Sequence, residues 1–214
     1  MSKDSLFSKK RMTLLKDPLN DSNPITVQVL GVCSALAITV QLKPAIVMAI
    51  SVMVVLSVAN VLISLMRKLI PSRIRIIVQL VVIAALVILV DEVLKAFVYD
   101  VSKELSVFVG LIITNCIIMG RLEAFGMANG PWESFLDGIG NAFGYAWILI
   151  VVAFFRELLG SGTLYGYPVL EKIGLYETGY ENNGMMILPP MALITVGIII
   201  WIQRMKNEKL IESK

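Results

Sequence analysis

The hydrophobic positions of this chain form long uncharged runs that are separated by short polar segments. An α-helix needs about 20 apolar residues to cross a bilayer, and several of these runs reach that length. Because the lipid interior offers no water to the backbone, spans of this kind are expected to be helices. The pattern predicts an all-α membrane protein with six transmembrane helices, over residues 22–42, 44–66, 76–90, 105–120, 138–155 and 182–203.

Two of the predicted spans differ from the others in their length. The third run is short, so the helix is expected to continue past Asp91 and Glu92 towards Tyr99. The fourth run is also short and carries the polar pair Thr114 and Asn115. The first span begins after Pro24 and contains Gly31, so the sequence predicts short or broken helices in spans one and four.

Basic residues are distributed unevenly between the loops, and this predicts the orientation. They concentrate in the segments before span one, between spans two and three, after span four and after span six. Because positively charged loops stay on the cytoplasmic side, both termini are predicted to be cytoplasmic. The whole chain, 1–214, is interpreted as a single membrane domain, with a surface tail at 1–21 and a second cytoplasmic tail at 204–214.

The two halves of the chain resemble each other. The segment at 66–72, which follows span two, is similar to the segment at 155–161, which follows span five. Residues 22–100 and 101–203 are therefore interpreted as two repeats of three spans each. An odd number of spans per repeat makes the repeats inverted across the membrane, and such proteins place functional sites near the midplane where the repeats meet.

Composition narrows the chemistry of such a site. Hydrophobic residues make up 57% of the chain, the mean hydropathy is +0.81, and the formal net charge of +3 is too small and scattered to indicate nucleic-acid binding. The absence of histidine excludes His-ligated haem, His-ligated zinc and a Ser–His–Asp device. The two cysteines, Cys33 and Cys116, form no CxxC motif and fall in spans one and four, at equivalent places of the two repeats.

Cys33 and Cys116 have several possible roles. A cysteine in an apolar helix often acts as a small hydrophobic residue, and a disulfide between the two is another option. Thiolates also bind iron–sulfur clusters, where four cysteines hold a [2Fe–2S] centre. Two thiolates are half of that set, so a metal site would require two more from a partner, and helix breaks near Gly31 and Asn115 would point backbone N–H groups at the sulfurs. A single iron held by four thiolates is the less favoured metal.

Polar residues within the spans are candidates for an ion path. They are Asn60, Asp91, Glu92 and Asn115, and Gln79 is a weaker candidate. Intramembrane acids are often functional, although Asp91 and Glu92 are close enough to the end of span three to be solvated. Buried amides such as Asn60 more commonly form interhelical hydrogen bonds.

Two further pairs have structural interpretations. Gly140 and Gly144 form a GxxxG motif, which predicts a close helix contact. Arg67 and Arg156 follow spans two and five, and they are interpreted as anchors at the membrane interface. The sequence offers no residue that we expect to act as a catalytic acid, base or nucleophile.

Several motifs closely resemble one membrane-protein family. The segments at 30–37 (LGVCSALA), 110–117 (GLIITNCI), 119–121 (MGR), 137–141 (DGIGN) and 154–162 (FFRELLGSG) are similar to the D-type membrane subunits of the bacterial sodium-translocating NADH:quinone oxidoreductase. The resemblance extends from about residue 23 to residue 201. A homologous subunit occurs in the ferredoxin:NAD oxidoreductase (Rnf) complex, which is the alternative assignment.

The resemblance implies a function and a set of partners. It implies a subunit in a six-subunit complex of the bacterial inner membrane that passes electrons from NADH through flavins and iron–sulfur centres to ubiquinone while expelling sodium. Cys33 and Cys116 match the positions at which this family ligates an intramembrane [2Fe–2S] cluster shared with a paralogous, inverted subunit. An ion-coupled secondary transporter and a purely structural scaffold are the competing interpretations.

Overall fold

The computed structural model describes residues 9–19, 21–97, 110–168 and 183–206, and these are mainly helical. The α-helices are α1 (Lys9–Lys16), α2 (Val32–Ile38), α3 (Leu42–Met66), α4 (Arg75–Phe97), α5 (Cys116–Arg121), α6 (Pro131–Gly160) and α7 (Pro189–Lys206). Short 3₁₀ turns cover Asp17–Leu19 and Gly184–Ile187, and a π-turn covers Leu122–Gly126. Strands β1 (Thr163–Leu164) and β2 (Tyr167–Pro168) form a small antiparallel hairpin after α6.

Helices α3 and α6 form the centre of the fold. In their most apolar stretches 56% of α3 and 61% of α6 is buried, compared with 17% of α4. Helix α4 therefore packs at the edge, where Ile77, Val81 and Leu89 are exposed. Such a continuous apolar surface is suited to contact with lipid or another membrane subunit.

Three helices in the described part of the chain are long and apolar enough to cross a membrane, namely α3, α4 and α6. They correspond to predicted spans two, three and five. Helix α4 continues past Asp91 and Glu92, as the sequence predicted, while Tyr99 lies outside the described residues. The total of six spans and the inverted repeat stay predictions. Within the described residues, span one contains only the short helix α2, and α7 in span six is not among the three helices that are long and apolar enough to cross. Residues 105–109 of span four lie outside the described residues.

Helix α6 begins at Pro131, before the uncharged run from which span five was predicted. The predicted span started later because it was defined by the absence of charged residues, and Asp137 lies directly before the uncharged run. In the structure Asp137 is buried and paired with Arg121, so its charge does not end the helix. Pro131 at the first helical position marks the true start, because its missing N–H needs no partner there.

The GxxxG motif of α6 packs against the N-terminal segment. A Cβ atom at Gly140 would lie 2.5 Å from the carbonyl oxygen of Leu14, and one at Gly144 would lie even closer to that of Pro18. Asn23 also donates a hydrogen bond to the carbonyl of Gly144, at 3.0 Å. The predicted close contact is therefore confirmed, and its partner is the segment that the sequence assigned to a surface tail.

Candidate metal site

Both cysteines lie at the start of a short helix. Cys33 is the second residue of α2, and Cys116 is the first residue of α5. Predicted spans one and four are therefore interrupted, because the backbone leaves helical geometry at Gly31 in span one and at Asn115 in span four. The breaks predicted at these two residues are confirmed.

Local sequence explains why the helices begin where they do. Gly31 has a φ of 79°, a left-handed conformation that glycine adopts without steric cost. Asn115 is extended, and its side-chain oxygen accepts a hydrogen bond from the Ile117 N–H. This is the usual N-cap arrangement, in which a side chain satisfies an N–H group that has no partner within the helix.

A buried polar network joins the two cysteine-bearing segments. The hydroxyl of Tyr145, from the middle of α6, donates to Ser34 Oγ at 2.7 Å, and Ser34 Oγ donates to the Gly31 carbonyl at 2.7 Å. The amide of Asn115 lies 3.5 Å from the same Ser34 oxygen. Since Ser34 follows Cys33 and Asn115 precedes Cys116, the network brings the two short helices together.

The cysteines themselves are available to ligands. Both are free thiols, with Cys33 exposed and Cys116 partly exposed. The described residues contain no cluster of three or more potential metal ligands. Two thiols are half of the ligand set of a four-thiolate metal site, so their chemistry fits such a site only in part.

Arg156 corrects one interpretation made from the sequence. It was interpreted as an anchor at the membrane interface, but it is only 1% exposed. Its guanidinium group donates to the Leu36 carbonyl at 3.2 Å, to Thr39 Oγ1 at 2.6 Å, and to the carbonyls of Met186 and Ile187 at 3.1 and 2.6 Å. Arg156 therefore caps the C-terminal end of α2 and ties it to the segment before α7.

Glu157 has a complementary role at the next helix. Its Oε2 atom accepts a hydrogen bond of 2.6 Å from the Leu42 N–H at the start of α3. Its Oε1 atom accepts from the N–H of Gly166 and the hydroxyl of Thr163 in the hairpin. A carboxylate at a helix N-terminus is stabilised by the helix dipole and by the free N–H groups.

Arg67 also binds backbone carbonyls. It donates to the carbonyls of Ala128 at 3.2 Å and Asn129 at 2.8 Å, in the segment that follows α5 and its π-turn. Arg156 binds the Leu36 carbonyl within α2 and the Thr39 hydroxyl just beyond it. Arg67 and Arg156 occupy equivalent positions in the two similar segments, 66–72 and 155–161. Each of them contacts a residue beyond a cysteine-bearing helix of the other half.

The C-terminal end of α5 is fixed by an ion pair that the sequence did not predict. Arg121 donates to both carboxylate oxygens of Asp137, which is 1% exposed. The amide of Asn141 donates to Asp137 Oδ1 at 3.0 Å. The guanidinium group also lies 5.6 Å from the centre of the Phe125 ring. Helix α5 is therefore held at its start by the Ser34–Tyr145–Asn115 network and at its end by this pair.

Comparison with known proteins identifies the family. A family model described as "Rnf-Nqr subunit, membrane protein" matches residues 11–200. The chain belongs to the Rnf-Nqr family. Relatives named as the D subunit of Na(+)-translocating NADH-quinone reductase include one from Photobacterium profundum, 54% identical over 97% of this chain and 98% of its own length, and one from Haemophilus ducreyi, 54% identical over 94% and 96%. A third, from Aeromonas hydrophila, is 55% identical over 94% and 95%.

These relatives confirm the resemblance that the motifs indicated. They are named as subunits of a redox enzyme complex, and the match covers nearly the whole chain. The membrane character expected from the hydropathy pattern also agrees with the family description. The name of each of these relatives refers to a quinone reductase rather than to the Rnf complex.

In this Rnf-Nqr subunit the four candidate ion-path residues have separate surroundings. Asn115 belongs to the network beside the cysteines. Asn60 is buried between α3 and α6, where its amide donates to the Ser134 carbonyl at 3.1 Å. Asp91 and Glu92 both pair with Lys95 at the end of α4, at 2.7 and 3.0 Å. The described contacts therefore do not join these residues into one path.

The weaker candidate Gln79 is also accounted for in this family member. Its amide donates to Glu123 Oε2 at 3.1 Å, and Arg75 pairs with Glu123 Oε1 at 2.5 Å. Helix α4 is thus linked to the π-turn after α5. The same turn is followed by the carbonyls that Arg67 binds.

Sequence reasoning missed Tyr145 as a residue of this site. The sequence analysis did not single it out. The available signal was that it is the single tyrosine in the run 138–155. A tyrosine hydroxyl in an apolar helix normally finds a hydrogen-bond partner, so its presence there indicates a polar group nearby.

Proposed function

We propose that this chain is the D subunit of a sodium-translocating NADH-quinone reductase and that it takes part in electron transfer across the membrane. The names of relatives at 54–55% identity support this assignment. They favour the quinone reductase over the related Rnf complex. The observation that carries the proposed site is the junction of two cysteine-bearing short helices through Ser34, Tyr145 and Asn115.

The proposed cofactor is a [2Fe–2S] cluster shared with a paralogous membrane subunit. Cys33 and Cys116 would supply two of its thiolate ligands, and the paralogue would supply the other two. When bound, such a cluster carries one electron at a time. A single iron with four thiolates is the alternative occupant of the same ligand set.

The contribution of this chain is to position the ligands and exclude water. Gly31 and Asn115 interrupt the helical backbone so that each cysteine lies in the first turn of a short helix, and Arg156 and Arg121 fix the opposite ends of those helices. The surrounding core residues keep water away from one side of the site, while the exposed face of Cys33 is left for the partner. In this proposal no side chain of the subunit needs to act as an acid or base, because the cofactor carries the redox chemistry.

The proposed setting is the bacterial inner membrane, with six spans, both termini in the cytoplasm and the two repeats inverted. Flavin-carrying subunits of the same complex would donate and accept the electrons. The broken helices at Gly31 and Asn115, at matched places in the two halves, support the repeat. The contacts of Arg67 with Asn129 and of Arg156 with Thr39, each beyond a short helix, support it as well.

Iron and acid-labile sulfide in the purified complex test this proposal. We expect Cys33→Ala and Cys116→Ala each to lose the same amount of iron and sulfide, while NADH oxidation at the flavin subunit persists and electron transfer to quinone fails. Thr114→Ala is the matched control, because Thr114 is exposed and lies two residues before Cys116. Unchanged iron and sulfide contents in both cysteine variants would contradict the proposal that this chain binds the cluster.

A further inference from the structure

Tyr145 places a hydroxyl group in the apolar interior of the protein. The residue is fully buried in the middle of α6. Phenylalanine would fill almost the same volume without the need to satisfy a polar group. The hydroxyl does find a partner, and that partner belongs to the segment that carries Cys33 rather than to α6 itself.

The side chain contacts the chain on both sides of Cys33. Its hydroxyl donates to Ser34 Oγ at 2.7 Å. Its ring lies against Gly31, because a Cβ atom built there would be 3.0 Å from Tyr145 Cε2. The left-handed turn at Gly31 and the first turn of α2 are therefore both positioned by this one side chain.

The same contact extends to the second cysteine. Ser34 Oγ, which accepts the Tyr145 hydrogen bond, also lies 3.5 Å from the amide of Asn115. Asn115 in turn uses its side-chain oxygen to cap the start of α5 through the Ile117 N–H. A chain of polar contacts thus leads from α6 through Ser34 to the residue before Cys116.

We propose that Tyr145 is a positioning residue that sets how Cys33 and Cys116 are placed relative to each other at the shared cluster. The inference rests on the proposed function, since it concerns the same site. Tyr145 suits this role because a buried tyrosine has few rotatable bonds and is held by the core of α6. A cluster with four thiolate ligands is sensitive to such placement, because residues around the ligands orient them and tune the metal centre.

Removal of the Tyr145 hydroxyl should therefore change the spectrum of the cluster without causing loss of the cluster. We expect Tyr145→Phe to retain iron and sulfide at the wild-type level and to melt close to the wild-type temperature, since the ring still packs on Gly31. The electron paramagnetic resonance spectrum of the reduced cluster should change its g-values or line width. Electron transfer to quinone should fall about tenfold, as is typical when a group that supports a metal ligand is lost.

The experiment compares Tyr145→Phe with Tyr167→Phe in the purified complex. Tyr167→Phe is the matched control, because it removes the same hydroxyl group from an exposed tyrosine in the hairpin, away from the site. Ser34→Ala is the second variant. Because the Tyr145 hydroxyl acts through Ser34, which also contacts Gly31 and Asn115, the double variant should show the same spectrum and rate as Ser34→Ala alone rather than the sum of the two single effects.

The outcomes separate this inference from the proposed function. Loss of iron from the cysteine variants together with an altered spectrum in Tyr145→Phe supports both. Loss of iron from the cysteine variants with a wild-type spectrum and rate in Tyr145→Phe overturns only the role of Tyr145. A lower melting temperature with an unchanged spectrum also overturns it, because Tyr145 would then serve packing alone.

Discussion

Arg156 and Glu157 are consecutive residues of α6, and they bind the two helix ends that flank one break in the chain. Arg156 contacts the end of α2 through Leu36 and Thr39. Glu157 binds the start of α3 through the Leu42 N–H. A cation is therefore placed at a helix C-terminus and an anion at a helix N-terminus, which is the favourable arrangement for both dipoles.

Removal of the Arg156 side chain should destabilise the complex strongly. Arg156→Ala leaves several buried carbonyls and the Thr39 hydroxyl without a donor, at a cost of about 3 kcal/mol. Arg156→Lys should recover only part of this, because an ammonium group cannot reach all the partners of the planar guanidinium. Thermal unfolding of the purified complex measures the loss. Arg204→Ala, at an exposed position of α7, is the control and should melt like the wild type.

Enlarging the glycines of the GxxxG motif should detach the N-terminal segment from α6. Gly144→Val puts atoms where the Pro18 carbonyl now lies, and Gly140→Val does the same at Leu14. Overpacking of this kind typically costs about 1–3 kcal/mol. Limited proteolysis should then cleave the N-terminal segment faster. Gly197→Val is the control, because a Cβ atom there meets nothing within 4 Å; equal cleavage in all three variants would contradict the packing described.

The Arg121–Asp137 pair should behave as a buried charge pair. Asp137→Asn leaves the Arg121 guanidinium with reduced charge compensation next to the core, and removal of one partner of such a pair typically costs about 3–5 kcal/mol. The double variant Arg121→Met with Asp137→Leu should be more stable than the sum of the single changes predicts. A double-mutant cycle on thermal stability measures this coupling. Glu92→Gln supplies the comparison at an exposed pair, where a much smaller effect is expected.

Removal of the metal should expose both thiols of this chain together. In the intact complex Cys33 and Cys116 should resist maleimide labelling if they bind the shared cluster. After denaturation with an iron chelator both should react, and peptide mapping should assign the label to these two positions. Labelling of the exposed Cys33 in the native, iron-loaded complex would contradict its role as a ligand.

Local signals in the sequence predicted the elements that carry the site. Gly31 and Asn115 marked the breaks because glycine allows a left-handed backbone and asparagine caps a helix, and both effects act within a few residues. The glycine spacing at Gly140 and Gly144 predicted a close contact. The spacing did not identify the partner of this contact, because a helix surface made of glycines can be approached closely by the backbone of any segment.

Long-range pairing explains what the sequence did not predict. Arg156 looked like an interfacial anchor because a charged residue at the end of an apolar run is usually solvated. Its burial depends on hydrogen bonds to the carbonyls of residues 36, 186 and 187. Hydropathy does not show that these distant segments of the chain come together around Arg156. Tyr145 and Asp137 were missed for the same reason, since their partners, Ser34 and Arg121, come from other elements of the fold.

The packing of the N-terminal segment on α6 also has a consequence for synthesis of the protein. Asn23 and Gly144 form a hydrogen bond although they are 121 positions apart in the chain. A ribosome makes the N-terminal segment first, and it makes the glycine surface that receives this segment only after four predicted spans have entered the membrane. Residues 14–23 are therefore synthesised well before the surface of α6 that they contact, so this contact can form only after α6 has been made.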